Sequence, residues 1–438
     1  LIFAYLVNWV VDKFIIRGGK KLSGELNISG AKNASLALMP ASLLSSGVSN
    51  LTNTPLLNDV YTMMKLLNEL GVETKFVREN SFGEKDVLQL NTSNIKSQVA
   101  PYEHVKKMRA SVYVLGPLLS RFGYAKVSLP GGCAWGPRPI NLHLEALKKM
   151  GADIELSEGY IVANSKRLKG TKINFDISSV GATGNTLMAA TLAEGTTVIS
   201  NAAMEPEITN LAEYLVKMGS RIEGIGTSTL TIEGVDELKP ADITTIADRI
   251  EAGTILIAGA LTGGEVTVKG ITDVYVRAVL TKLEDSGCEI KISGDSIKVK
   301  AVKEEIIPTD VTTSIFPGFP TDMQAQWTAY MSVANGVSTV TDTIYLDRFK
   351  HVPELIRLGA DIKMNENSAV IKGISKLKGA KVMSTDLRAS ASLVLAGLAA
   401  EGVTEVLRVY HLDRGYQRIE EKLKALGADI ERVAGAEY

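Results

Sequence analysis

Two cysteines, four histidines and three tryptophans in 438 residues leave several kinds of chemistry without material. Cys133 and Cys288 stand far apart, which excludes a disulfide framework or a zinc ribbon. His104, His143, His351 and His411 are scattered without metal-ligand spacing, so no metal is expected, and they support no Ser-His-Asp triad. No glycine fingerprint sits in the strand-to-helix context that a dinucleotide site or a P-loop requires. Charge of one sign is missing too. The 48 basic and 49 acidic side chains leave a net charge of −1, which argues against a dedicated nucleic-acid or membrane-surface protein. The apolar opening LIFAYLVNW lacks a basic flank and a small-residue cleavage site, and it is too short to span a bilayer. Because the chain opens on Leu, the expected natural start is near Val11, with residues 1–10 an upstream extension. What is present is aliphatic: 45% hydrophobic residues with only 6% aromatic, the composition of a soluble protein with a large core, and with so few cysteines and histidines a cytoplasmic protein is the default expectation.

The chain repeats itself. A phrase close to Leu/Met-Gly-x-x-Ile recurs at Gly71, Gly151, Gly219, Gly287, Gly359 and Gly427, at spacings of 80, 68, 68, 72 and 68. A second phrase, a small-residue helix ending in glycine before a β-branched strand, recurs at Gly47, Gly123, Gly195, Gly263, Gly336 and Gly402. Each period reads as strand, Ala/Leu helix, strand, amphipathic helix and hairpin, or βαβαββ. One such unit cannot enclose a core, so six units predict two α/β domains of three repeats each.

Departures from the period mark candidate sites. The longest gap between paired glycines, Gly123 to Gly151, holds SLPGGCAWGPRPINLH, a Gly- and Pro-rich loop. Cys133 lies in it, five residues before Arg138, and a cation near a mobile thiol favours the thiolate. A buried structural cysteine is the competing reading. Lys32 and Asn33 open the first Ala/Leu helix, a natural anion site or an ordinary solvated helix start. Arg388 and Arg414 occupy loop-to-helix junctions suited to phosphate or carboxylate capture, or to surface ion pairs. Asp322 and Asp386 each follow Thr before a helix, where each is either an N-cap or a general base.

Taken together and in order, GAKNASL, MRASVYVLGPLL, GGCAWGPRP, SVGATGNT, GFPTDMQAQ, HVPELIRLGADI and DLRASAS…YHLDRGYQRI resemble the UDP-N-acetylglucosamine 1-carboxyvinyltransferase (MurA) family, from Asp12 to Val433. The resemblance implies the enolpyruvyl transferase fold, two inside-out α/β barrel domains closing around the substrates. The first would be residues 32–246 and the second 11–31 plus 247–438. It implies transfer of enolpyruvate from phosphoenolpyruvate to the 3′-hydroxyl of UDP-N-acetylglucosamine, the first committed step of peptidoglycan synthesis. No cofactor is expected, and the oligomeric state is open, with a monomer the favoured expectation. Cys133 matches the family's general acid, able to bond covalently to phosphoenolpyruvate and hence to be alkylated by fosfomycin. Asp322 matches the acceptor of the sugar hydroxyl's proton. Lys32, Arg138 and Arg414 match the phosphoenolpyruvate cations, with Asn33, Arg348 and Arg388 beside them and Asp386 a further site candidate. Arg109, the run Arg138, Pro139, Ile140, Asn141 and Leu142, and the run Ile177, Ser178, Ser179 and Val180 match the nucleotide contacts. Ile344 matches a further position of that substrate.

Three positions depart from the family pattern. Asn141 stands where an acidic residue is common, Ile177 where some members are basic, and Phe316 where some have histidine. Two other readings stay open: the sister enolpyruvylshikimate-phosphate synthase, against which the cysteine loop speaks, and a non-catalytic UDP-sugar-binding paralogue.

Overall fold

The computed structural model describes residues 10–77, 86–106, 108–129 and 140–436. All twelve repeat glycines adopt positive φ, the six of the first series between 91° and 109°. A side chain is disfavoured there, so glycine is the residue of choice for leaving these helices. The sequence period is therefore a record of backbone geometry.

The described residues form six four-stranded sheets, each with one parallel and two antiparallel pairings. In Lys172–Asn174, Thr196–Ser200, Arg221–Glu223 and Thr229–Glu233 the last strand folds back between the second and the third. Strands such as Val403–Leu407 alternate buried and open positions, so each sheet has one face on the core.

The chain divides into two compact units, Ser29–Ala247 and the segments on either side of it. The passage in falls at Ser29 rather than Lys32, and the passage out follows Ala247 rather than Ile246. Pairing explains both boundaries. The Gly30–Ala247 bridge and the 2.7 Å bond from Ala31 N–H to the Ile246 carbonyl tie residues 30–31 to the central segment. The two crossing strands are exchanged: Ser23–Asn27 pairs with Glu265–Lys269, while Ile243–Thr244 pairs with Leu51–Thr52. Val10–Arg17 completes the sixth sheet between Val403–Leu407 and Asp429–Ala436.

In the discontinuous unit the first helices of its three repeats are Arg249–Leu261, Gln324–Met331 and Leu387–Ala399. They pack on one another and are buried nearly throughout, with the sheets outside them. This is the inside-out arrangement. Helices apolar on every side must lie inside, which explains the Ala/Leu composition of these segments. Their polar first turns then bring charged side chains such as Asp248, Asp386 and Arg388 to the edge of the core. Among the described residues no helix is long and apolar enough to cross a membrane.

Candidate active site

The starts of these three buried helices each carry aspartate, and two of the three are used as caps. Asp248 accepts from the N–H groups of Ile250 and Glu251 at 2.8 and 3.0 Å. Asp386 accepts from Arg388 and Ala389 at 2.9 and 3.1 Å. Asp386 is thus an N-cap, the first of the two readings its junction allowed. Asp322, in the 3₁₀ turn Thr321–Met323, makes no capping bond. Its carboxylate instead contacts Arg388 Nη2 at 2.6 Å and Arg348 Nη1 at 2.8 Å. Burial pushes this carboxyl up, but Arg388 and then Arg348 outweigh it and hold it well below the usual carboxylate range. Asp322 keeps a quarter of its side chain open, whereas Arg388 is 4% exposed.

The support behind this triad is also polar. Gln326 donates to the Asp322 carbonyl at 2.9 Å and to the Tyr416 hydroxyl at 3.1 Å. The Arg388 guanidinium lies 5.6 Å from the Tyr416 ring centre. Arg348 Nη1 also donates to Thr321 Oγ1 at 3.1 Å. Ile344, 38% exposed, lies on the loop between the strand Val337–Thr341 and Arg348. Arg414 ends the 3₁₀ segment Val409–Arg414, which packs on the helix Leu387–Ala399. The residue before it, Asp413, is gripped by Arg432 at 2.6 and 3.0 Å.

In the Ser29–Ala247 unit, Lys32 starts the helix Lys32–Ala41, which has no side-chain cap, and Asn33 beside it is exposed. Lys32 is not an ordinary solvated lysine. Its Nζ lies 2.9 Å from Asp59, whose side chain is 5% exposed.

Two of the helix starts that carry described nucleotide candidates of this unit meet at His143. Ser179 caps the helix Val180–Ala190 by accepting from Ala182 N–H, and Ile140 precedes the helix Asn141–Lys149. The two helix starts touch: a Cβ added to Gly181 would lie 3.0 Å from His143 Nε2. Asn185 joins the parts, donating to the Val112 carbonyl and to His143 Nδ1 and accepting from Gly116 N–H. Burial and then the Arg109 guanidinium push His143 down to about 3, so it is neutral. Tyr113 closes the cluster through its hydroxyl on the Val180 carbonyl at 3.3 Å. Leu142, Ser178 and Ser179 are partly exposed, Asn141 is exposed, and Ile177 is 71% exposed.

Cys133, Arg138 and Pro139 lie outside the described residues. Phe316, the third departure, faces the Arg249 guanidinium at 5.7 Å. Sequence reading missed Asp59, Asp342 and Arg432. Only Arg432 left a signal, as a cation inside an otherwise alternating strand.

A model of the EPSP synthase (3-phosphoshikimate 1-carboxyvinyltransferase) family matches residues 16–423, and the chain belongs to that family. Within it, the chain is 56% identical over 431 residues to the UDP-N-acetylglucosamine 1-carboxyvinyltransferase of Chloroherpeton thalassium, covering 98% of this chain and 99% of that one. The enzyme of the same name from Chlorobium limicola is 55% identical, with 98% and 100% covered. Among solved structures, the enolpyruvyl transferase NikO from Streptomyces tendae superposes with a TM-score of 0.86 at 24% identity, over 97% of this chain and 100% of that one. An EPSP synthase from Acinetobacter baumannii gives 0.71 at 18%, over 97% and 100%. These likenesses show the fold.

Proposed function

We propose that this enzyme transfers the enolpyruvyl group of phosphoenolpyruvate to the 3′-hydroxyl of UDP-N-acetylglucosamine and releases phosphate, a step of peptidoglycan synthesis. The observation that carries the chemistry is Asp322, an aspartate that does not cap its helix and is held ionised between two arginines. In the first half-reaction a proton reaches the methylene carbon of phosphoenolpyruvate, C2 becomes cationic, and the sugar oxygen bonds to it. In the second, the methyl group returns a proton as the C2–O bond to phosphate breaks and the double bond reforms. A carboxylate pinned as low as Asp322 is a weak base. It suffices because the sugar hydroxyl becomes acidic only as it bonds to the cationic carbon.

Lys32, Arg138 and Arg414, helped by Arg348 and Arg388, supply the cations that a substrate with both phosphate and carboxylate requires. Cys133 is the proton donor to carbon, with Arg138 favouring its thiolate when the proton has left. Arg109, the 138–142 run, Ser178 to Val180 and Ile344 hold the nucleotide sugar. We place the reaction in the cytoplasm, with the chain acting as a monomer.

The test is a mass spectrum of the acceptor after incubation with phosphoenolpyruvate, run beside intact-protein mass after fosfomycin. The expected results are UDP-N-acetylglucosamine heavier by one enolpyruvyl group and a single adduct on Cys133. An unmodified acceptor contradicts the function, and an adduct-free Cys133 contradicts its role as the reactive thiol.

A further inference from the structure

Asp342 is fully buried at the end of the strand Val337–Thr341 and belongs to none of the groups assigned above. Its two oxygens do different things. Oδ1 accepts from Thr313 Oγ1 at 2.8 Å and from the N–H groups of Ile344 and Tyr345, both at 2.9 Å. That oxygen folds the loop carrying Ile344. Oδ2 accepts from Thr321 Oγ1 at 2.7 Å. Thr321 Oγ1 in turn accepts from Arg348 Nη1, the same nitrogen that lies 2.8 Å from Asp322 Oδ1.

A buried carboxylate with four donors is far more than a loop of this length needs, since backbone groups or an asparagine would hold it. The anionic oxygen on Thr321 fixes the direction of that hydroxyl. With its proton committed to Asp342, the lone pairs of Thr321 face Arg348, and the guanidinium is steered onto Asp322.

We infer that Asp342 is a positioning residue for the proton acceptor, acting on Asp322 through Thr321 and Arg348. The same side chain fixes Ile344, so one buried carboxylate sets both the acceptor's cation and a contact of the nucleotide sugar. The inference rests on the enolpyruvyl-transfer reading given above.

The test uses the polarity of the chain of bonds. Asp342→Asn keeps a carbonyl oxygen for Thr313, Ile344 and Tyr345 but presents N–H to Thr321, which reverses that bond. Thr321→Val removes the link, and Thr321→Ser keeps the hydroxyl. Asp342→Asn and Thr321→Val should each lower kcat by about tenfold or more while the KM for UDP-N-acetylglucosamine changes by less than about twofold, as expected when an interaction realised in the transition state is lost. Thr321→Ser should stay within about threefold of wild type. The double variant Asp342→Asn/Thr321→Val should be no slower than Thr321→Val alone, because both break one chain of bonds.

Losses that multiply in the double variant, or variants with unchanged kcat beside an active wild type, overturn the inference and leave the transferase intact. A wild type that releases no phosphate with both substrates overturns the two together. If Asp342→Asn does not stay folded at the assay temperature, the Val and Ser variants of Thr321 decide the question by themselves.

Discussion

Arg388 and Asp322 meet at 2.6 Å from the starts of two different buried helices, and Asp322 is the partner of a guanidinium that is itself only 4% exposed. Burial disfavours the charge on Arg388, but Asp322 more than offsets it and keeps the guanidinium protonated. The pair places a negative oxygen at the only one of three equivalent helix starts where it is not spent on capping.

Removing that charge should therefore be a catalytic change as well as a destabilising one, because Arg388 loses its buried counter-ion. Asp322→Asn is expected to lower kcat by about 10²–10⁴ with phosphoenolpyruvate binding retained. Steady-state kinetics checks the first part and calorimetric titration of phosphoenolpyruvate the second. Because the two arginines lower the Asp322 pKa, the carboxylate is charged above its ordinary range and its stabilising contribution disappears only as pH falls below it, under about pH 4. No acid limb in the rate profile between pH 5 and 8 should vanish in Asp322→Asn.

Arg388→Met leaves Asp322 beside Arg348 at 2.8 Å and removes a buried charge-assisted bond. Unfolding by urea should show a loss of about 1.5–3 kcal/mol, with turnover reduced as well. Arg388→Lys keeps the charge but not the planar fork, and should recover stability better than rate.

Two buried histidines make the fold sensitive to acid from both units. Burial, followed by Arg109 for His143 and Arg348 for His351, pushes each from 6.5 down to about 3. Between those values the unfolded chain takes up protons that the native state refuses. The contribution is complete above about pH 6.5 and is lost as pH falls toward 3, at up to about 1.4 kcal/mol per pH unit for each group. Denaturant midpoints measured from pH 7 to 4 should fall more gently in His143→Gln than in wild type.

Arg432 ties Asp413 and Glu420 together and reaches Asp12, so the segment ending in Arg414 is anchored from the strand beside it. Arg432→Met should cost roughly 2 kcal/mol and raise the KM for phosphoenolpyruvate more than it lowers kcat. A melting curve and a phosphoenolpyruvate titration check the two effects separately.

The repeats were legible because a chain leaving a helix at positive φ needs glycine, and twelve such exits print a period onto the sequence. The exchange of Ser23–Asn27 and Ile243–Thr244 was not legible from the period, because strand neighbours are chosen across more than a hundred residues of chain; only the family resemblance put the N-terminal strands in the second domain. At the site, a Thr-Asp junction reads the same whether the aspartate caps, as Asp386 does, or faces arginines, as Asp322 does. The difference lies in partners 26 and 66 residues away in Arg348 and Arg388. Asp59 and Asp342 left no mark because a buried carboxylate looks like any surface aspartate until its donors are in place.

Phosphate release with phosphoenolpyruvate and UDP-N-acetylglucosamine, each omitted in turn, tests the central claim most directly. Release that needs both substrates, and that falls by about 10²–10⁴ in Asp322→Asn, is the predicted result. Release only with shikimate 3-phosphate as acceptor, or no release despite UDP-sugar binding, would contradict it.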